Sequence, residues 1–253
     1  MFPFIYERKI IALNCKDKEI RALNFKPTVK IPMSQEVSYV YFVPGMAADV
    51  SIFEFIRLSK DKFVSQTLPW KIPEKNESIE DYAKRMCEEI KHENCILVGV
   101  SFGGIMVQEM SKFLKVKRLI IISSVKNKYE LPKRIKFARK TKAYKLLPTS
   151  IVSRIENWEK LAFGEFAKKR AAMYQKYLSV NDKRYLDWAI EEMVCWDQEK
   201  TLEGIIHIHG NKDIVFPIEN IKNCIVVDQG THVMVINRAR WFNKNLPEII
   251  NDN

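Results

Sequence analysis

No stretch of this 253-residue chain comes near the roughly 20 consecutive apolar residues that a membrane-spanning helix needs. The opening Met1-Phe2-Pro3-Phe4-Ile5-Tyr6-Glu7 has too short an apolar stretch for a secretory leader and no basic residues before it. Low-complexity tracts and internal repeats are missing too, which argues against a disordered protein. Cysteine is sparse and scattered, at Cys15, Cys87, Cys95, Cys195 and Cys224. An odd number without C-x-x-C spacing suggests neither a disulfide framework nor a zinc ribbon. Together these absences predict a soluble, cytoplasmic protein with no membrane span.

What is present is apolar residue in quantity, 47% of the chain, enough for one large α/β domain with an insertion. The formal net charge of +11 is unevenly spread. From Lys126 to Lys145 the only acidic residue is Glu130, against nine Lys and Arg, so this segment carries most of the excess. It reads either as a solvated helix face or as a landing surface for an anionic partner. Nucleic acid is not the predicted partner, because no recognised binding motif accompanies the charge.

Along the chain, Glu7 to Phe25 alternates as a pair of edge strands turning at Lys16-Asp17-Lys18. A stronger strand, Val37 to Val43, ends in the loop Pro44-Gly45-Met46-Ala47-Ala48-Asp49, after which Phe53 to Ile56 starts a helix. Phe63-Val64 forms a short strand before Leu68-Pro69-Trp70. Asn76-Glu77-Ser78 opens a helix with its apolar stripe at Ile79, Tyr82, Ala83, Met86 and Ile90. Cys95 to Val98 and Leu119 to Ile122 are apolar runs of the kind found in a parallel sheet covered on both faces. From Val125 to about Gln198 no strand signal appears, and helical stretches follow one another. One of them carries the stripe Tyr185, Trp188, Ala189 and Met193 behind a candidate cap at Asn181. Strands resume at Gly204 to Gly210 and at Cys224 to Val227, and a helix from Asn237 through Ile249 closes the chain. The predicted fold is α/β: a mostly parallel central sheet with helices on both faces. Its core spans residues 1–124 and 199–253, and 125–198 form a helical cap insertion.

The chemistry centres on Gly99-Val100-Ser101-Phe102-Gly103-Gly104, a glycine-flanked serine between a strand and a helix. A serine on so tight a turn projects its hydroxyl above the sheet edge, and Gly99 and Gly103 lack the bulk that would keep strand and helix apart. Asp213 and His232 each follow a later predicted strand, so all three side chains fall at the sheet edge where open α/β sheets bind ligands. Asp228 and Asp197 are the alternative acids, with Asp228 close to His232 in sequence. His207 and His209 share one face of a strand and could chelate a metal, but no third ligand is evident. His92, beside Lys91 and Glu93, is predicted to face solvent.

The order Ser101, Asp213, His232, with His209-Gly210-Asn211-Lys212-Asp213, Pro217 and Gly230-Thr231-His232 around the last two, resembles the α/β-hydrolase superfamily. The likeness is to its capped serine esterases and thioesterases, and it covers the chain from about Val37 onward. It implies Ser101 as nucleophile, His232 as base and Asp213 as its orienting acid. The backbone N–H groups of Met46 and Phe102 would then line an oxyanion hole, with no metal or organic cofactor. Pro44 departs from the family, which often has a histidine before the loop glycine, so the hydrogen bonding of this loop is expected to differ. Serine at the elbow separates the chain from the dehalogenase and epoxide-hydrolase branches, which place aspartate there.

The resemblance implies cleavage of a small-molecule ester or thioester. The basic segment suggests acyl groups carried on coenzyme A or an acidic acyl carrier protein, as in the carrier-protein methyl ester esterases. The same residues also admit acyl transfer, C–C hydrolysis, lyase chemistry or a non-catalytic, ligand-binding pseudo-hydrolase.

Overall fold

The computed structural model describes residues 37–146 and 176–252. The edge strands expected between Glu7 and Phe25 lie outside the described residues, as does the middle of the predicted insertion. Six strands are described: β1 (Ser38–Val43), β2 (Phe63–Thr67), β3 (Cys95–Val100), β4 (Val116–Ile122), β5 (Ile205–Gly210) and β6 (Ile225–Val227). They form one sheet in the order β2-β1-β3-β4-β5-β6, and every neighbouring pair is parallel.

The central strands are buried on both faces, as their unbroken apolar runs require. Along β1 and β3, Tyr41, Val43 and Leu97 point to one side and Val40, Phe42, Ile96 and Val98 to the other. The first side is covered by α1 (Ile79–Cys87), α2 (Phe102–Met110) and α4 (Lys183–Cys195). The second is covered by the 3₁₀ turn Val50–Phe53, by α5 (Met234–Asn237) and by α6 (Ala239–Asn251). Between β4 and β5 the described residues contain a 3₁₀ turn (Lys128–Glu130), α3 (Lys133–Thr141), a second such turn and α4, with no strand. No described helix is long and apolar enough to cross a membrane.

Several local expectations are corrected. In place of a helix at Phe53–Ile56 there is the 3₁₀ turn Val50–Phe53, started by the Asp49 carboxylate accepting from Ser51 N at 2.6 Å. The cap of α4 is Asp182 and not Asn181; its carboxylate accepts from Tyr185 N at 2.9 Å. The closing helix begins earlier and is broken at Arg238, whose φ of −119° lies outside helical geometry.

From β1 the chain steps outward to β2, then crosses back over β1 through α1 to reach β3, and from there runs steadily the other way. The loops after β1 and β3 therefore leave the sheet in opposite directions and open a crevice between them. Ligand sites in open parallel sheets form at such a switch point.

Candidate active site

One residue separates β3 from α2, and it is Ser101, with φ 55° and ψ −119°. A positive φ on a non-glycine residue is held only when its surroundings fix it. Here Ser101 N donates to Ile122 O (2.9 Å), and Ser124 Oγ donates to Ser101 O (2.7 Å). The two flanking glycines are sterically required. A Cβ at Gly99 would lie 2.1 Å from Gly103 O, and one at Gly103 would lie 2.3 Å from Pro44 O. The elbow is thus packed directly against the loop that follows β1.

Asp213 sits just past β5 and is buried. Its Oδ1 accepts from the backbone N–H groups of Val215 (2.8 Å) and Phe216 (2.9 Å), which leaves Oδ2 to face His232. His232 Nδ1 lies 2.9 Å from that oxygen, and His232 Nε2 lies 2.9 Å from Ser101 Oγ. A carboxylate only accepts, so Nδ1 carries the proton and Nε2 is free to accept from the serine hydroxyl. Residues 101, 213 and 232 are thereby joined in one chain of hydrogen bonds above the carboxyl ends of β3, β5 and β6.

No protein-family model matches the sequence, and no curated protein matches it at sequence level. Solved structures do match the fold. An enol-lactonase from Burkholderia xenovorans superposes with a TM-score of 0.63 at 14% identity, covering 85% of this chain and 92% of that one. An esterase from Exiguobacterium antarcticum gives 0.59 at 16% identity, with coverage of 85% and 92%. A bromoperoxidase from Bacillus anthracis gives 0.57 at 15% identity, again over 85% and 92%. The chain has the α/β-hydrolase fold.

In the α/β-hydrolase fold seen here, the loop after β1 runs beside the elbow: a Cβ at Gly45 would lie 3.6 Å from Ser101 Cβ. Phe102 opens α2, so its N–H belongs to the first turn, whose donors have no intrahelical partner. Besides the turn bond from Ala48 N to Gly45 O (3.0 Å), two side chains distant in sequence bind the loop's carbonyls. Trp70 Nε1 donates to Gly45 O (2.8 Å) and Tyr185 Oη donates to Met46 O (2.9 Å). Nothing in the local spacing signals either contact, because each joins segments far apart in sequence. An apolar cavity of about 190 Å³ opens at Ser101 and His232, walled by Ala48, Ile52, Leu178 and Val235.

The remaining candidates are placed elsewhere or in supporting positions. Asp197 is bound to Lys128 (3.1 Å) and Arg139 (2.8 Å), and Asp228 accepts from Asn211 Nδ2 (2.9 Å). His207 and His209 are buried behind Asp213, with His209 Nε2 2.8 Å from Phe216 O. Among the described residues no group of three or more His, Cys, Asp or Glu is arranged to hold a metal. His92 does not simply face solvent. Its ring stacks on Tyr39 with centroids 3.4 Å apart, and its Nδ1 lies within hydrogen-bond distance of Tyr41 Oη at 2.7 Å.

Proposed function

We propose that this protein is a serine hydrolase that cleaves a carboxylic ester or thioester through an acyl-enzyme. The observation that carries the reading is the unbroken contact from Ser101 Oγ through the His232 imidazole to the buried Asp213 carboxylate. His232 Nε2 takes the serine proton as Oγ attacks the acyl carbon, and the carbonyl π pair moves onto oxygen. The backbone N–H groups of Met46 and Phe102 are the donors for that oxyanion. One such donor is worth roughly 10²–10³ in rate. The tetrahedral species collapses as the imidazolium returns its proton to the departing alkoxide or thiolate. Water, deprotonated by the same imidazole, then releases the acid and restores the serine. Asp213 holds the tautomer throughout and stabilises the imidazolium. These steps call on no metal or organic cofactor.

Cys87, Cys95 and Cys224 do not compete as nucleophiles. Burial pushes the Cys87 thiol up to about 12 and raises those of Cys95 and Cys224 as well, so they stay protonated at neutral pH. The cavity beside Ser101 is smaller than the 300–1,000 Å³ usual for drug-sized ligands, which favours a short acyl group. In this reading residues 125–198 act as the cap over the core formed by the rest of the chain. The enol-lactonase and the esterase among the structural neighbours, enzymes named for cleaving carboxylic esters, are in keeping with it. The finer reading, an acyl group delivered on an anionic carrier, rests on the cations of α3 and its flanks.

A fluorophosphonate probe tests the core of the proposal. Wild type is expected to label at one site, Ser101→Ala to stay unlabelled, and Asp213→Asn to lose on the order of 10⁴ in kcat on a p-nitrophenyl ester. In that last variant the amide N–H₂ would face His232 Nδ1 and impose the wrong tautomer. Labelling that persists in Ser101→Ala assigns the reactivity to another residue. A wild type that neither labels nor turns over points to a binding protein.

A further inference from the structure

The loop after β1 has to present one N–H, that of Met46, at a fixed point beside Ser101, yet it is an irregular segment with no ladder to hold it. A single turn bond, Ala48 N donating to Gly45 O (3.0 Å), is supplemented by two aromatic side chains that approach its peptides from two directions. Trp70, just past β2, donates its indole N–H to Gly45 O at 2.8 Å. Tyr185, on α4, donates its hydroxyl to Met46 O at 2.9 Å. The two rings also pack on each other, with centroids 5.5 Å apart, and Trp70 lies 5.4 Å from Phe102, the residue carrying the other proposed oxyanion donor.

Peptide geometry turns these contacts into a statement about catalysis. The described chain contains no cis peptide, and in a trans peptide the N–H points opposite to the C=O of the same plane. Drawing Gly45 O toward the Trp70 indole therefore aims Met46 N–H away from Trp70, and Gly45 itself borders the elbow serine. Fixing Met46 O by Tyr185 removes rotation of the next peptide, so the donor is set from both sides. Preorganisation of this kind is what makes an oxyanion donor effective, because nothing has to reorient as charge develops. Burial holds the Tyr185 hydroxyl protonated, as its donor role requires.

We propose that Trp70 and Tyr185 are positioning residues that orient the Gly45–Met46–Ala47 backbone as the oxyanion donor. The proposal rests on the serine-hydrolase reading above. It also gives the insertion a part in the chemistry of the core, because Tyr185 belongs to α4. The backbone around it adds further ties, with Val180 N donating to Ala47 O (3.1 Å) and Asp49 N to Tyr177 O (3.2 Å).

Trp70→Phe keeps a ring and removes the indole N–H, while Tyr185→Phe removes one hydroxyl. On p-nitrophenyl acetate each is expected to lower kcat about tenfold, less than the 10²–10³ of losing a donor altogether, with KM within about twofold. The readout that a merely structural role would not move is affinity for a trifluoromethyl ketone, which forms a tetrahedral oxyanion on Ser101. Its inhibition constant should rise by the same factor as kcat/KM falls, and the double variant should lose more than either single one. Circular dichroism and thermal melting identify a variant that has failed to fold, in which case the other single variant decides. Unchanged kcat and unchanged ketone affinity in folded variants overturn the proposal while leaving the hydrolase reading standing. A wild type without Ser101-dependent turnover overturns both.

Discussion

Behind Asp213, two histidines of β5 have their protons assigned by their partners. Phe216 O can only accept, so His209 Nε2, 2.8 Å away, must carry hydrogen. Neutral His209 then offers a bare Nδ1 to His207 Nε2–H at 3.0 Å. His207 Nδ1 is left buried and bare, with no hydrogen-bond partner among the described residues. Protonating it would bury a cation: desolvation, the neighbouring His209 and the Lys126 ammonium outweigh the Ser124 backbone, which favours the charged ring, and push its pKa down to about 2. Burial lowers His209 in the same direction, opposed by its bond to Phe216 O. An unfolded histidine titrates near 6.5, so between that value and about 2 the unfolded chain binds the extra proton and the fold does not. Stability is therefore full above about pH 6.5 and falls as the medium is acidified, by up to ~1.4 kcal/mol per pH unit for each such group. His207→Gln keeps an N–H for His209 and removes the titration. Urea unfolding at pH 7.5 and 5.0 should show the variant's loss on acidification smaller than that of wild type by about 2 kcal/mol. Parallel pH profiles would falsify the assignment. At this scale the sequence was informative about Ser101, Asp213 and His232, because each follows a strand whose apolar run is plain. It placed Tyr185 in an apolar stripe and Trp70 after a strand without signalling their bonds to the loop after β1, and it misjudged His92, whose surroundings depend on Tyr39 and Tyr41 from a strand on the far side of α1.

Among the elements, the strand-elbow-helix unit is the most constrained, and its two neighbouring glycines respond differently to substitution. A Cβ at Gly103 would stand 2.3 Å from Pro44 O and 2.4 Å from Val43 O, both backbone atoms that cannot swing aside. Gly103→Ala must push α2 away from the loop after β1, moving Phe102 N–H relative to Met46 N–H. The expected cost is about 1–3 kcal/mol of stability, with at least tenfold lower kcat. A Cβ at Gly45 meets nothing nearer than 3.6 Å, an ordinary contact, and Gly45 does not have positive φ. Gly45→Ala should therefore unfold within about 0.5 kcal/mol of wild type. Chemical denaturation of the pair decides the matter: equal destabilisation would mean that elbow and loop are not packed as described. Strand runs and the Ser78 cap of α1 were readable because they depend on local periodicity and one side-chain bond, the Ser78 Oγ accepting from Asp81 N at 3.1 Å. The break at Arg238 was not, since the apolar stripe continues across it and only packing of α5 against the sheet decides where the axis changes.

For the whole molecule, the +11 net charge invites an anionic partner, but much of the basic segment is already engaged internally. Lys126 is buried and lies 3.5 Å from the Glu130 carboxylate. Lys128 and Arg139 share Asp197, and Arg134 donates to the carbonyls of Ile214 (2.9 Å) and Val215 (2.6 Å). Arg134 thus ties α3 to the loop that carries Asp213, a structural use of charge that composition alone would count as free. Among the described residues, Lys133, Lys140 and Lys142 form no ion pair, and α3 buries none of its side chains, so the carrier reading narrows to this one helix and its end. Exposed charges act on one another over about 10 Å at 0.1 M salt and over much less at 1 M. If these lysines steer an acyl-coenzyme A, its kcat/KM should fall severalfold between about 0.02 and about 0.5 M salt, while a neutral p-nitrophenyl ester of the same acyl group stays level. Replacing the three lysines with glutamine should lower the thioester-to-ester ratio at low salt and leave the ester rate untouched, since none of them reaches the cavity beside Ser101. Equal salt response for the two substrates would remove the anionic carrier, and the excess charge of α3 would then be a solvated face, with substrate choice left to the apolar cavity at the elbow.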